Sequence, residues 1–274
     1  MKYAQKYLSE IQKQIKRAGG VILLLDFDGV LSAIAPTPDE AFISEENTKL
    51  LRKCAARFPT AIITGRELVD IKKKINIKSL FYVASHGLEW EEDGKYHVKS
   101  IPKETIEAIN LAKEKIKPLI NRYPGMIFED KPFVFAAHYR IMNPLLVVRF
   151  KREVKKILEP ILKKNKLRLD HNLKTFELRP EIGWDKGDSA LFAEKHFNKK
   201  AGKNFMPIYI GDSLTDEDAF HALKNGITIR VRKSKKSAAK WYLRNPKEVS
   251  LFLKWLLTLK LHLRENGSCA SLYV

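Results

Sequence analysis

The chain has 274 residues, 45% of them hydrophobic and 30% charged, which is enough for one substantial core or two modest ones and is not a disordered composition. Lys and Arg number 51 against 32 Asp and Glu, a formal net charge of +19; the lysines are dispersed with no DNA- or RNA-binding signature, so they read as a solvated surface that can also draw an anionic substrate into a cleft, and no specific nucleic-acid partner is expected. No stretch approaches the ~18 to 20 apolar residues that cross a bilayer, the first segment lacks a signal-peptide core, and Cys54 and Cys269 suggest neither a disulfide framework nor a zinc site, so a cytoplasmic protein that does not engage membranes is expected.

Along the chain, residues 3–18 carry apolar positions at Tyr3, Leu8, Ile11 and Ile15, the pattern of an amphipathic helix stopped by Gly19 and Gly20. Residues 21–27 form a continuous apolar run of the buried parallel-strand type. Ser44 starts a helix through Arg57, with Leu50, Leu51 and Cys54 on its apolar face. Short buried strands follow at 60–63 and 81–84, with a helix expected over 66–75 between them. This alternation predicts an α/β fold, a doubly wound parallel sheet of Rossmann-like type.

The rhythm changes after Gly94. Residues 104–122 read as one long helix, 126–129 and 133–139 as strands, and 144–164 as another helix. Residues 167–170 and 174–178 read as a hairpin with Asn172 near its turn. This α-β-β-α-β-β block is expected to be a small α+β domain (101–180) inserted into the core (1–100 and 181–274). The parallel rhythm resumes with a helix over 186–197, a strand at 207–210, a helix over 216–225, a strand at 227–231 and a helix over 249–263.

Four clusters carry chemistry. Asp26-Phe27-Asp28-Gly29 follows the first buried strand and delivers two carboxylates to its C-terminal end, where open α/β sheets bind ligands. Thr64-Gly65-Arg66 ends the second strand, offering a hydroxyl and a glycine amide to a phosphate oxygen; a helix-capping Thr64 is the alternative. Lys186 opens the helix that returns to the core and could balance clustered carboxylates, although a solvated lysine is the ordinary reading. Gly211-Asp212-Ser213-Leu214-Thr215-Asp216-Glu217-Asp218 ends another buried strand; carboxylates crowded there call for a hard cation such as Mg²⁺, while Glu217 and Asp218 suit a helix N-terminus.

The order strand-DxDG, strand-TGR, lysine, strand-GDxxxD resembles the haloacid dehalogenase superfamily of phosphatases. The closer resemblance is to the trehalose-6-phosphate phosphatase family. It is carried by residues 25–31 with Ile34 and Pro38, by Ser85-His86-Gly87 and by residues 211–220. In the insert it is carried by Glu129-Asp130-Lys131, His138-Tyr139-Arg140 and Phe176-Glu177-Leu178-Arg179-Pro180. Val30 and Ser213 depart from that pattern, the first from a commoner Thr and the second from a second acidic residue.

The resemblance implies hydrolysis of trehalose 6-phosphate, or of a related sugar phosphate such as a sucrose phosphate or mannosyl-phosphoglycerate. Asp26 would be the nucleophile and Asp28 the acid and base. Mg²⁺ would be held by Asp26, the Asp28 carbonyl and Asp212, with Asp216 nearby. Thr64 and Lys186 would hold phosphate oxygens, with Gly65, Arg66 and His86 at the edge of the site. The insert would be a substrate-reading cap using Glu129, Lys131 and Glu177, with Arg140 steering phosphate. A trehalose-phosphate synthase is the implied pathway neighbour.

Overall fold

A computed structural model describes residues 1–92, 94–172 and 174–260; Cys269 lies outside them, and the helix expected over 249–263 already ends at Thr258, where Leu259 turns extended. The described residues form two compact units. One comprises Met1–Ile34, Ala41–Val98 and the chain from Trp184; the other comprises Ala35–Glu40 and Lys99–Gly183.

The chain begins with β1 (Lys2–Tyr3), a single 3-10 turn, and α1 (Leu8–Ala18). The helix expected from residue 3 starts five residues later because Tyr3 pairs as a strand with Tyr242 and its hydroxyl donates to Glu248 at 2.7 Å, contacts that local periodicity cannot foresee. Gly19 ends α1 in the left-handed conformation, as glycine allows. Next come β2 (Val21–Leu25), α2 (Glu45–Arg57), β3 (Thr60–Ile63), α3 (Leu68–Ile75), β4 (Phe81–Ala84), β5 (Glu89–Glu92) and β6 (Lys95–Val98). Ser44 caps α2 by accepting the Asn47 N–H. Cys54, on the inner face of α2, is fully buried, and burial pushes its thiol up to about 12.

The second unit holds α4 (Lys103–Ile116), α5 (Leu119–Arg122), β7 (Ile127–Asp130), β8 (Phe135–His138), α6 (Pro144–Lys164), β9 (Leu167–Asn172) and β10 (Thr175–Pro180). The single helix expected over 104–122 is broken before Leu119, because Pro118 has no N–H to donate to the preceding turn and its ring crowds that turn's carbonyl. The chain returns to the first unit through α7 (Lys186–Ala201), β11 (Met206–Gly211), α8 (Asp216–Ala222), β12 (Ile227–Val231), β13 (Trp241–Leu243) and α9 (Pro246–Thr258).

In the first unit nine strands run in the order β1-β13-β12-β11-β2-β3-β4-β5-β6. The pairs from β1 to β4 are parallel; β5 and β6 add an antiparallel edge hairpin. One face of the sheet packs Ile22, Leu24, Ala61, Ile63 and Val83 against Ala190, Ala193 and Phe197 of α7 and Phe220 of α8. Alternate residues such as Leu23, Leu25 and Ile62 point to the other face and are equally buried. Burial on both faces is why these strands are unbroken apolar runs, each large side chain contributing about 1.5 to 3 kcal/mol. Strand order reverses at β2, whose neighbours are β3 on one side and β11 on the other, so a crevice opens between the C-terminal ends of β2 and β11.

The second unit is a four-stranded antiparallel sheet, β7-β8-β10-β9. Phe135, Ala137, Phe176 and Leu178 share a core with Ile109 and Ile116 of α4 and Phe150, Val154 and Leu158 of α6. The residues between them, Ala136 and Glu177, face the other way, where Glu129 and Asp170 join them. Among the described residues no helix is long and apolar enough to cross a membrane.

Candidate active site

The crevice at the strand reversal gathers the candidates of the first unit. Asp26 directly follows β2, its N–H bonded to Ile210 O at 3.0 Å, so the β11 ladder continues into the site. Asp26 is 4% exposed. Lys186, the first residue of α7, is buried and lies 2.9 Å from Asp26 Oδ2 and 2.8 Å from Asp216 Oδ1. Its place is fixed by the capping box of α7, in which Asp185 accepts from Gly187 and Asp188 amides and Asp188 accepts from the Asp185 N–H. The solvated alternative for this lysine is therefore ruled out.

Asp216 receives five donors. Lys186 and the Tyr209 hydroxyl reach Oδ1, both at 2.8 Å, while the Asp212 amide (3.0 Å), Ser213 amide (2.8 Å) and Ser213 hydroxyl (2.7 Å) reach Oδ2. Ser213 thus ties down Asp216. Asp26, Asp212 and Asp216 each offer an oxygen, all three within 4.8 Å of one another. Burial pushes the Asp26 carboxyl well up, Lys186 only partly opposing. Burial also raises Asp212, to about 7, with Asp216 adding to the rise and Arg232 opposing it. For Asp216 burial is outweighed by Lys186 and the Ser213 bonds, so its carboxyl is lowered. Lys186, although buried, is held charged by Asp216 and Asp26.

Three buried carboxylates against Lys186 and the more exposed Arg232 leave an oxygen cage with excess negative charge that fits a divalent cation. Asp26 has one partner on each oxygen, the Phe27 N–H on Oδ1 at 2.7 Å and Lys186 on Oδ2, whereas Asp216 accepts from five donors, so Asp26 and Asp212 are the side chains with more capacity left to ligate directly. Gly29 makes this approach possible. It adopts φ +74°, and a Cβ there would overlap Asp212 Oδ2.

Asp28 lies half-exposed two residues beyond Asp26. Arg66 grips it with a two-bond fork, Nε to Oδ2 at 2.7 Å and Nη2 to Oδ1 at 2.9 Å, and its Nη1 donates to Asp70 Oδ2 at 2.7 Å. The helix expected to begin at Arg66 begins at Leu68, with Glu67 in extended conformation just before it. Thr64 to Arg66 instead form a turn whose shape is set elsewhere: Thr64 Oγ1 accepts the Arg66 N–H at 3.2 Å, and the Arg66 carbonyl accepts the Ser85 N–H at 2.7 Å. Thr64 is buried at the turn and is not a helix cap.

His86 is buried on that turn, with its N–H on Thr64 O at 3.0 Å. A Cβ on Gly65 would fall 2.5 Å from His86 Nε2, so the glycine lets the ring close in. Ser85, His86 and Gly87 all have positive φ, a conformation costing a side-chain-bearing residue about 1 to 3 kcal/mol. Glu89 braces this turn, accepting the Ser85 hydroxyl at 2.6 Å, the Tyr96 hydroxyl at 2.7 Å and the Leu68 amide at 3.2 Å.

The second unit gathers part of its own candidate set. Glu129, Ala136, Glu177 and Asp170 form one row across the sheet and so share its polar face. With strands about 4.8 Å apart, Glu129 and Glu177 stand about 10 Å from each other across the small Ala136. Glu129 Oε2 meets His138 Nε2 at 2.9 Å and Lys131 Nζ at 3.3 Å. Despite burial, His138 and Lys131 hold its carboxyl down at about 2. Arg140 sits half-buried in the turn after β8.

Sequence reading missed Arg232, which ion-pairs Asp212; Asp70, which anchors Arg66; and Glu89. It also took Glu217 for a helix-terminus charge only. Glu217 pairs with Arg230, which donates to Ser213 O at 2.9 Å, so it helps hold the loop after Asp212.

Three buried carboxylates and a buried lysine thus meet where a doubly wound parallel sheet reverses, an α/β fold of the haloacid dehalogenase type. Solved structures agree on the fold: the C-terminal domain of the C. albicans trehalose-6-phosphate phosphatase superposes with a TM-score of 0.81 at 21% identity, over 92% of this chain and 96% of that one.

The chain belongs to the trehalose-phosphatase family, whose model matches residues 24–247. It is 31% identical over 257 residues to trehalose-phosphate phosphatase B of Arabidopsis thaliana, covering 88% of this chain and 67% of the relative. It is 32% identical over 236 residues to trehalose-phosphate phosphatase of Mycobacterium tuberculosis, covering 84% of this chain but 59% of that longer protein.

Proposed function

We propose that this protein hydrolyses trehalose 6-phosphate to trehalose and phosphate, using Mg²⁺ and a phosphorylated aspartate, in the cytoplasm. Family membership supports the substrate. The observation that carries the chemistry is the buried Asp26 carboxylate paired with Lys186 beside Asp212.

Asp26 is the nucleophile. An Asp26 oxygen bonds to phosphorus as the bond from phosphorus to the sugar oxygen breaks. Asp28 delivers the proton that the leaving oxygen takes up. Water then attacks the phosphoryl group, Asp28 accepts its proton, and phosphate departs from a restored Asp26. Each Asp28 oxygen accepts one N–H from Arg66 and keeps a second lone pair that can carry a proton. Arg66 therefore orients Asp28 without blocking the proton transfers.

Thr64, the Gly65 amide and Lys186 hold the phosphate oxygens, with His86 shaping the edge of the turn. The side chains of Asp26 and Asp212 and the backbone carbonyl of Asp28 would hold Mg²⁺, with Asp216 keeping Lys186 and the 212–213 loop in register. The ion offsets the repulsion between an ionised Asp26 and an anionic phosphate. In the second unit, Glu129, Lys131 and Glu177 are sugar-hydroxyl readers, charged acceptors and donors on one rigid sheet face, and Arg140 attracts phosphate. This unit is the specificity domain. A pathway link to a trehalose-phosphate synthase belongs to the same proposal.

The test is phosphate release from trehalose 6-phosphate and from a panel of other sugar phosphates, with Mg²⁺ and with chelator. Trehalose 6-phosphate should be turned over best, only with the cation, and Asp26→Asn should lose at least about a thousandfold. Good turnover of other sugar phosphates with none of this one would overturn the substrate assignment.

A further inference from the structure

Arg232 is the first residue past β12, at a backbone conformation that favours glycine. Its φ is +69°, and its N–H is tied to Leu243 O at 2.7 Å, so the end of β13 imposes that conformation. An arginine is strained there where glycine would not be. What the arginine adds is its side chain, which crosses to Asp212 and ion-pairs with Oδ2. Its side chain is 46% exposed, whereas that of Asp212 is 3% exposed. A solvent-accessible cation therefore sits on one of the two carboxylates that the proposed function assigns to Mg²⁺. Lys233, Lys235 and Lys236 follow on the same exposed loop, so the local field also opposes an incoming cation.

We propose that Arg232 competes with the divalent cation for Asp212 and thereby sets the enzyme's cation affinity. The inference rests on Asp26 and Asp212 holding that cation. Arg232 acts through Asp212 and is a positioning residue. Asp212 needs a counter-charge in so buried a place, and Arg232 supplies one that can swing into solvent. Lys186 cannot do this, since it is enclosed and bonded to Asp26 and Asp216. A second positive charge within a few ångströms lowers cation affinity by an amount of the order of a factor of ten. A purely structural arginine would do the opposite, because losing it would loosen Asp212 and weaken binding.

The experiment is calorimetric titration of Mg²⁺ into chelator-stripped protein at fixed ionic strength, which needs no turnover. Arg232→Gln should bind Mg²⁺ about tenfold more tightly than the parent, and Arg232→Lys should stay within about threefold of it. Arg232→Gly provides the same readout should the glutamine variant fold poorly, since glycine relieves the backbone. Unchanged or weaker affinity in both the glutamine and glycine variants overturns the proposal alone. If the parent takes up no Mg²⁺, or Asp212→Asn takes it up equally well, the cation site itself is wrong and the proposal falls with it.

Discussion

Lys186→Met removes the cation at the centre of the site while nearly preserving side-chain length, so it opens little cavity. Two ion pairs are lost, 2.9 Å to Asp26 and 2.8 Å to Asp216, among side chains 3%, 6% and 0% exposed. Breaking a buried pair by deleting one partner typically costs about 3 to 5 kcal/mol, because a desolvated charge is left behind. Here two carboxylates lose their partner. Asp216 keeps its bonds from Tyr209 and the 212–213 loop, which argues for the lower half of that range, about 3 kcal/mol. The assay is urea unfolding followed by tryptophan fluorescence in chelator. Trp90, Trp184, Trp241 and Trp255 all lie in the first unit, so the signal reports that unit. Mg²⁺ should restore part of the loss, by supplying charge to the same carboxylates. A variant within about 1 kcal/mol of the parent in chelator would refute the view that Lys186 is the electrostatic keystone of the site.

Gly29→Ala should cost about 1 kcal/mol for its left-handed backbone and displace the Asp212 carboxylate that its Cβ would overlap. Phosphatase activity should fall at least about a hundredfold, with weaker Mg²⁺ binding in the same variant; normal cation binding would refute the steric argument. Glu129 has its folded pKa held at about 2, below its ordinary value of 4.5. Its contribution is therefore complete above pH 4.5 and lost as pH falls through about 2. Glu129→Gln should destabilise the second unit at neutral pH by at most about 3 kcal/mol. Hydrogen exchange over residues 103–180 should show that gap closing on acidification, and a gap independent of pH would contradict it.

The parts of this protein legible from sequence are those where burial alone dictates residue type. β2 and β11 read clearly because a strand covered on both faces must be apolar throughout, and each then ends abruptly in carboxylates at 26, 28 and 212. The β5–β6 hairpin escaped because it lies at the sheet edge, where Glu89-Trp90-Glu91-Glu92 and Lys95-Tyr96-His97-Val98 carry little apolar signal; Trp90 finds its partner in the stacked ring of His97, 5.3 Å away. The break at Pro118 was available in the sequence, but the apolar periodicity on either side masked it. Arg232 stood in a basic run that reads as solvated surface. Its meaning depends on a positive φ and a long-range ion pair, neither of which has a local sequence signature. Glu89 is similar, a carboxylate whose role appears only once Ser85, Leu68 and Tyr96 converge on it.

The most direct test follows the phosphoryl group itself. Enzyme mixed with trehalose 6-phosphate and Mg²⁺, quenched in acid within one turnover and digested, should carry one phosphoryl group on the peptide containing Asp26, and Asp28→Asn should slow both its formation and its hydrolysis, since Asp28 is the acid of one step and the base of the other. Phosphorylation at another residue, or full turnover by Asp26→Asn, would contradict the account.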